Sequence, residues 1–285
     1  MSIGHAHPHY VNKLKSQIDN IGFYSNAVQN SLQKELADKL GKLSGCDEYE
    51  LFLCSSGAEA NENALKLASF HNGKHRVVSF KNGFHGRTSA AVVATDNKAI
   101  VAPINAQQQV AILPLGNLDA VELELKKNDV CAVIIEPIQG VGGLDEAETE
   151  FFKGLEQLCK QYNTCLVLDE VQSGFGRSGK FFGFQYHGIN PDIISMAKGM
   201  GNGFPIGGIL ITPHIKSKYG LLGTTFGGNH LACAACIAVL EVIEKESLID
   251  KARLTGEYFI QAASEIEGVK QIKGRGLMLG LEYAF

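Results

Sequence analysis

The chain has 285 residues, of which 45% are hydrophobic and 20% charged, with a formal net charge of -4 and a pI near 6.1. This length allows a large core in one or two domains, and the mild acidity gives no electrostatic reason to expect a nucleic acid or an anionic membrane as partner. No signal-peptide pattern and no apolar run of membrane-spanning length is visible. We therefore expect a cytoplasmic protein whose seven cysteines are reduced.

Two groups of residues have types that can bind metal. His5, His7 and His9 alternate near the N-terminus, but no acidic or cysteine cluster accompanies them. Cys233 and Cys236 have the spacing of a zinc or redox pair, yet they fall in a predicted apolar helix and no second pair exists. We therefore expect no metal site.

A segment of small residues follows the first predicted strand. The apolar run 51–54 predicts that strand, and residues 55–61 lead into a helix over 62–70. Small residues at the start of a helix expose free N–H groups at its positive end, which suits an anion. The alternative is an ordinary helix cap made by Ser55 or Ser56.

An aromatic and a basic residue follow the next predicted strand, 77–80. Phe84 could cover one face of a pyridine ring by stacking. Arg87 could bind a substrate carboxylate, because two parallel N–H groups of a guanidinium match two oxygens. The alternatives are a phenylalanine of the core and a solvated surface arginine.

Strands and amphipathic helices alternate through the middle of the chain. Helices over 117–127 and 149–162 flank an apolar strand that begins at Val130 and ends at Glu136. This alternation is typical of βαβ units in a parallel sheet. Ligands bind at the carboxyl ends of such strands, so Glu136 is a candidate site residue, although a purely structural carboxylate fits the pattern equally well.

Asp169 and Lys198 each follow a short apolar strand, over 165–168 and 193–197. Both are expected at the carboxyl edge of the sheet. An acid and a lysine at one edge suit a cofactor that has a basic ring nitrogen and an aldehyde, and pyridoxal phosphate (PLP) has both. Taken separately, each residue could be an ordinary loop or surface charge.

Longer sequence motifs around these two residues resemble a known family. They are Leu166-Val-Leu-Asp-Glu-Val-Gln-Ser-Gly-Phe-Gly-Arg-Ser-Gly-Lys180 and Pro191-Asp-Ile-Ile-Ser-Met-Ala-Lys-Gly199. Both resemble the signature of the class III PLP-dependent aminotransferases, with the nearest likeness to acetylornithine and succinylornithine aminotransferases. The likeness runs from Gly4 to Gly280.

The resemblance implies an α/β fold of fold type I, in which helices sandwich a mostly parallel sheet. It divides the chain into an N-terminal segment at the domain junction (1–30), a PLP-binding large domain (31–245) and the start of a small C-terminal α/β domain (246–285). It makes the histidine-rich start of the chain a loop. Relatives extend further at both ends, so the chain is expected to be truncated relative to them.

The resemblance also implies a cofactor site. Lys198 would form a covalent imine with PLP and serve as the base, while Asp169 would pair with the pyridinium nitrogen. Other predicted roles are phosphate binding by Ser56, Gly57 and Ala58, stacking by Phe84, ring packing by Val171, and a hydrogen bond from Gln172 to the phenolic oxygen.

For the substrate side, the resemblance implies that Arg87 binds a carboxylate and that Thr224 lies near substrate. Glu136 is predicted on the same side from its place at the carboxyl edge of the sheet. Thr225 would reach the cofactor phosphate of a partner subunit, so the active site would need a homodimer. Val141 departs from the pattern, because most ornithine-type relatives carry there a glutamate that pairs with a substrate-binding arginine. This departure leaves the amino donor open.

The implied reaction is ping-pong transfer of the terminal amino group of N-acetylornithine or N-succinylornithine to 2-oxoglutarate, in arginine biosynthesis. Other class III activities, on ornithine or on γ-aminobutyrate and similar ω-amino acids, use the same residues. A truncated remnant that binds PLP without activity is a further alternative. A nucleotide-binding domain is disfavoured, since neither a Gly-x-Gly-x-x-Gly motif after the first strand nor a P-loop lysine motif is present.

Overall fold

Seven short runs rich in apolar residues form one sheet in the computed structural model, which describes residues 2–216 and 218–284. The strands are β1 (Glu50–Cys54), β2 (Arg76–Phe80), β3 (Val110–Leu113), β4 (Val130–Ile135), β5 (Cys165–Asp169), β6 (Ile193–Met196) and β7 (Gly207–Ile211). Their order is β1-β7-β6-β5-β4-β2-β3. Strand β7 runs antiparallel to its neighbours β1 and β6, and the remaining pairs are parallel.

Helices cover both faces of this sheet. They are α1 (Pro8–Asn20), α2 (Ser31–Ser44), α3 (Gly57–Asn72), α4 (Ser89–Ala94), α5 (Leu118–Leu125), α6 (Thr149–Gln161), α7 (His230–Lys245) and α8 (Leu248–Ser264). Alternate residues of each central strand enter two separate apolar cores, one with α3 and α4 and the other with α2, α5, α6 and α7. Strands β4 to β7 are buried along their whole length because both faces are covered. This is the predicted mostly parallel sheet between helices.

The last two strands lie outside the main sheet. Strands β8 (Val269–Arg275) and β9 (Met278–Tyr283) form an antiparallel pair against which α8 packs. Two ion pairs join β8 to the segment after β4, Lys273 with Asp145 and Arg275 with Glu146. The predicted boundary at 245/246 falls between α7 and α8, and the three-part division of the chain stays a prediction.

The expectation of a loop for the histidine-rich start is wrong from residue 8 onward. Helix α1 begins at Pro8, whose fixed φ and missing N–H suit the first turn of a helix. His7 and His9 lie against carboxylates of the C-terminal half of the chain, with Nε2 2.8 Å from Glu246 Oε1 and 2.6 Å from Glu241 Oε2 respectively. The part of the chain that the structure describes holds no group of three or more potential ligands arranged for a metal ion.

None of the helices in the described ranges is both long and apolar enough to cross a membrane.

His187 is a buried titratable residue beneath α6. Its ring stacks on Phe152 with ring centroids 4.0 Å apart, and Nδ1 lies 3.1 Å from Thr149 Oγ1. Burial and, to a smaller extent, the positive charge of Arg275 lower the pKa of His187 to about 4, against the opposing charge of Glu148. The imidazole is therefore neutral in the folded protein at pH 7.

We expect His187 to make stability depend on pH. Because its folded pKa is depressed, the contribution is fully present above the unfolded pKa near 6.5 and is lost as pH falls toward the folded pKa near 4. The unfolding free energy of the parent should fall by about 2 kcal/mol more between pH 7 and pH 5 than that of His187→Asn. Urea unfolding at both pH values measures the difference, with the exposed His5→Asn as control. An equal change in unfolding free energy between pH 7 and pH 5 for the parent and His187→Asn would contradict the depressed pKa of His187.

Candidate active site

One cavity of about 460 Å³ lies at the carboxyl ends of β4, β5 and β6. All predicted site residues except Thr224 and Thr225 line it: Ser56, Gly57, Ala58, Phe84, Arg87, Glu136, Asp169, Val171, Gln172 and Lys198. They come from five different connections of the sheet. The parallel strand direction brings them together, because it places the carboxyl ends of β4, β5 and β6 at one edge.

The N-terminus of α3 forms one end of the cavity. Ser56 caps the helix, its Oγ accepting from Glu59 N at 3.2 Å, while the Glu59 carboxylate accepts from Ser55 N at 2.8 Å. The N–H groups of Gly57 and Ala58, the first two residues of the helix, have no acceptor among the described residues. A Cβ at Gly57 would lie 2.8 Å from Val171 Cγ1, so only glycine allows this close approach. Two free donors at a positive helix end can bind a phosphate.

Asp169 is fixed by three hydrogen bonds at the end of β5. Oδ2 accepts from Asn61 Nδ2 and lies against His85 Nδ1, both at 2.8 Å, and Oδ1 accepts from Val171 N at 3.1 Å. The carboxylate is 3% exposed. These contacts hold its orientation and stabilise its charge, so it can face a cationic group in the cavity.

His85 is completely buried beside this carboxylate. Burial alone would lower the pKa of His85, but the hydrogen bond and charge of Asp169, together with Glu136, outweigh it and the pKa is raised. Sequence reasoning assigned no role to His85 or Asn61. Both lie in segments that contain predicted site residues, but nothing in a linear sequence shows that their side chains turn toward Asp169.

Glu136 joins two turns at the edge of the cavity. Oε1 accepts from Phe84 N and Oε2 from Gly140 N, each at 2.9 Å. Burial raises the pKa of Glu136 to about 7, with the charge of His85 opposing and that of Asp169 adding to the shift. A substrate contact, as predicted, would use lone pairs that these backbone bonds leave free. The visible role of Glu136 is to hold the turn that carries Phe84.

Lys198 begins a single 3₁₀ turn directly after β6. Its φ of +44° lies in the left-handed region, which is unusual for a residue with a side chain and typical of functional sites. The Lys198 side chain is exposed, but the cavity walls desolvate it in part and lower its pKa, against the charges of Asp169 and Glu136 that raise it. A lowered pKa increases the fraction of neutral, nucleophilic amine.

The remaining cavity residues supply shape and one free charge. Phe84 and Val171 are half-buried on the walls, and Gln172 lies against Gly140, where a Cβ would not fit. Arg87 is exposed at the mouth and has no ion-pair partner among the described residues. It is available for an anionic ligand.

Thr224 and Thr225 do not line this cavity. Both lie in the connection between β7 and α7, and Thr224 lines a second cavity of about 770 Å³ beside β1. Thr225 is exposed. The predicted contact of Thr225 with the cofactor phosphate of a partner subunit stays a prediction.

The residues of the first cavity fit PLP. The free amides of Gly57 and Ala58 suit its phosphate, the fixed carboxylate of Asp169 suits its ring nitrogen, and the amine of Lys198 suits its aldehyde. A volume of about 460 Å³ is that of a small-molecule site.

Loss of the His85 contact should destabilise the protein. His85→Leu leaves the buried Asp169 carboxylate with fewer partners, and we expect the unfolding free energy of the cofactor-free protein to fall by about 3 kcal/mol. His85→Asn, which can retain a donor near the Nδ1 position, should lose less. Urea unfolding measures both, with the exposed His75→Leu as control. An equal loss in His85→Leu and His85→Asn would show that the volume of the ring, and not its hydrogen bond, matters.

The sequence is similar to one family of enzymes along nearly its whole length. The profile of the family described as aminotransferase class-III matches residues 1–284. The chain is 39% identical to an acetylornithine aminotransferase of Bacillus subtilis (strain 168), over 99% of this chain and 74% of that protein. It is 40% identical to an acetylornithine aminotransferase of Archaeoglobus fulgidus, over 99% of this chain and 75% of that protein.

Solved structures agree with this fold. Ornithine aminotransferase of Toxoplasma gondii superposes with a TM-score of 0.91 at 28% identity, over 99% of this chain and 71% of that one. Taurine:2-oxoglutarate aminotransferase of Bifidobacterium kashiwanohense, solved in complex with PLP and glutamate, has a TM-score of 0.90 at 25% identity, over 99% and 71%. Family profile, relatives and fold confirm the predicted resemblance. The chain belongs to the class III aminotransferases, a family of PLP-dependent enzymes.

Proposed function

We propose that this chain transfers the terminal amino group of N-acetylornithine, or of N-succinylornithine, to 2-oxoglutarate, in arginine biosynthesis. One observation carries the proposal: a single cavity holds an amine of lowered pKa at Lys198, a fixed carboxylate at Asp169 and the free amides of Gly57 and Ala58. The names of relatives at 39% and 40% identity support the choice of donor.

The cavity residues would hold PLP along its whole length. PLP supplies, when bound, an electrophilic carbonyl and a ring that accepts an electron pair. Ser56, Gly57 and Ala58 would bind the phosphate, and Asp169 would keep the ring nitrogen protonated through a charge-assisted hydrogen bond. Phe84 and Val171 would cover the ring faces, and Gln172 would donate to the phenolic oxygen.

Lys198 would have two tasks. It would hold the cofactor covalently at rest, and its lowered pKa increases the fraction of neutral amine available for that bond. With its amine free, Lys198 would accept a proton from the carbon that bears the transferred amino group. Proton transfer by a positioned side chain contributes about 10²–10⁴-fold to the rate.

The charge of Arg87 supports a donor that carries a carboxylate. Arg87 is an exposed cation without an ion-pair partner among the described residues, which suits the donor carboxylate. Val141 is 64% exposed and is not among the residues that line this cavity, so the choice of an acylated donor rests on the names of the relatives. Thr224 and Glu136 would complete the substrate side.

Exposed apolar residues near Thr225 support a homodimer. Phe226 is 61% exposed and contacts Phe23, with ring centroids 5.2 Å apart, and Tyr24 is 60% exposed. Clustered aromatic exposure of this kind is typical of a subunit interface. In the proposed dimer, Thr225 reaches the cofactor phosphate of the other subunit.

Lys198→Ala should abolish borohydride-dependent fixation of PLP, since Lys198 is the one lysine that lines the cavity in the described part of the chain. Asp169→Asn should still be fixed by borohydride but turn over about a hundredfold more slowly, because the neutral amide does not hold the ring nitrogen in its cationic form. Intact-protein mass and steady-state kinetics measure the two effects, with Lys81→Ala as control. Continued fixation in Lys198→Ala would place the attachment elsewhere.

With 2-oxoglutarate as acceptor, kcat/KM should be at least about tenfold higher for N-acetylornithine or N-succinylornithine than for ornithine or γ-aminobutyrate. A coupled assay for glutamate, run with all four donors at matched concentrations, measures the ratio. Turnover of γ-aminobutyrate without turnover of either acyl-ornithine would overturn the proposed substrate.

Phe226→Asp should shift the protein from dimer to monomer, because a carboxylate would be buried without a partner in the apolar interface. Analytical ultracentrifugation measures the change. Leu123→Asp, at a residue of α5 that is 65% exposed, is the matched control. A monomeric parent, or a Phe226→Asp variant that stays dimeric, would contradict the interface.

A further inference from the structure

The connection between β7 and α7 carries Thr224 and Thr225, and few hydrogen bonds within the connection itself fix its conformation. Three glycines flank the threonines in the segment 223–228. Thr224 Oγ1 accepts from Gly227 N at 3.1 Å, and Asn229 Nδ2 donates to Phe226 O at 2.9 Å. Thr225 and Phe226 are exposed, so no core contact fixes this part of the loop.

A side chain almost 200 residues away supplies the missing contacts. Asn26 Nδ2 shares its two N–H donors among the carbonyl oxygens of Thr224, Thr225 and Gly227, at 3.1, 3.2 and 3.0 Å. Gln33 Nε2 donates to Gly228 O at 2.8 Å and lies 3.4 Å from Asn26 Oδ1. The amide group of Asn26 therefore gathers three carbonyls around one nitrogen.

This arrangement fixes the direction in which Thr225 points. The carbonyls of Thr224 and Thr225 that converge on this donor group set the peptide planes on both sides of Thr225, which is left exposed. The loop is also pressed against β1, where a Cβ on Gly227 would lie 2.6 Å from Leu53 O. The loop thus has a rigid base, and Asn26 holds its outer part.

We propose that Asn26, supported by Gln33, is a positioning residue for the cofactor phosphate in the partner subunit. This rests on the proposed function, in which Thr225 contacts that phosphate. Asn26 would act only through the loop and would not touch the cofactor itself. Its loss should therefore weaken binding of the phosphate and leave the rest of the cofactor site intact.

Asn26→Asp is the sharpest variant, because the carboxylate has the same shape but cannot donate and would face three carbonyl oxygens. Absorbance titration of the cofactor-free protein measures Kd for PLP and for phosphate-free pyridoxal. We expect Kd for PLP to rise about tenfold and Kd for pyridoxal to stay within about twofold. Asn20→Asp, which removes a donor to Ser16 O only and makes the same charge change, should alter neither.

Hybrid dimers test whether the effect crosses the interface. In a dimer of Asn26→Asp with Lys198→Ala, the subunit that keeps Lys198 receives an intact loop from its partner, so borohydride fixation at limiting PLP should match a hybrid of parent with Lys198→Ala. In a dimer of the parent with the double variant Asn26→Asp/Lys198→Ala, only the parent subunit keeps Lys198, and the loop that reaches its site comes from the altered subunit. Borohydride fixation of PLP should therefore fall. The opposite order would overturn the proposal.

Further outcomes separate the possible failures. Unchanged PLP affinity in Asn26→Asp, or equal losses for PLP and pyridoxal, would overturn the positioning role. Should Asn26→Asp fail to fold by circular dichroism, Gln33→Glu tests the same loop, with the same expected changes in Kd for PLP and for pyridoxal. Thr225→Val is the reference variant: if it weakens PLP binding and Asn26→Asp does not, this inference alone fails. If the parent binds no PLP, the proposed function fails.

Discussion

The fixed carboxylate of Asp169 is the interaction on which the site depends. It lies at the end of a buried strand, and three donors from different parts of the chain determine its direction. The desolvation of a buried charge is compensated only when such donors are in place. Asp169 can therefore face a cation in the cavity without rearranging, and the sheet, α3 and the turn after β2 all contribute to that one geometry.

The neighbouring titratable groups act as one electrostatic unit. Burial raises the pKa of Glu136, while the pKa of His85 is raised chiefly by Asp169 against its own burial. The same two carboxylates raise the pKa of Lys198, but desolvation lowers it more. The fraction of neutral amine is therefore increased next to fixed negative charge, which is the combination that imine chemistry at a cationic ring requires.

The sequence predicted those parts of the molecule that follow from periodicity and strand direction. Apolar runs located β4, β5 and β6, and their parallel arrangement placed Asp169 and Lys198 at one edge. It did not predict His85 or Asn61, because their contacts with Asp169 span 84 and 108 residues and depend on how two turns fold back. The loop expected at residue 8 became a helix since Pro8 favours a first turn. The hydrogen bonds from Asn26 to the segment 224–227 join residues about 200 positions apart, and no local sequence pattern predicts them.

A crystal structure of the protein grown with PLP tests the central claim most directly. The account predicts a covalent bond between Lys198 Nζ and the cofactor, with the ring nitrogen about 2.8 Å from an oxygen of Asp169, as in a charge-assisted hydrogen bond. It also predicts the phosphate at the N–H groups of Gly57 and Ala58. A cofactor bound with its ring nitrogen away from Asp169, or attached to another lysine, would contradict the account.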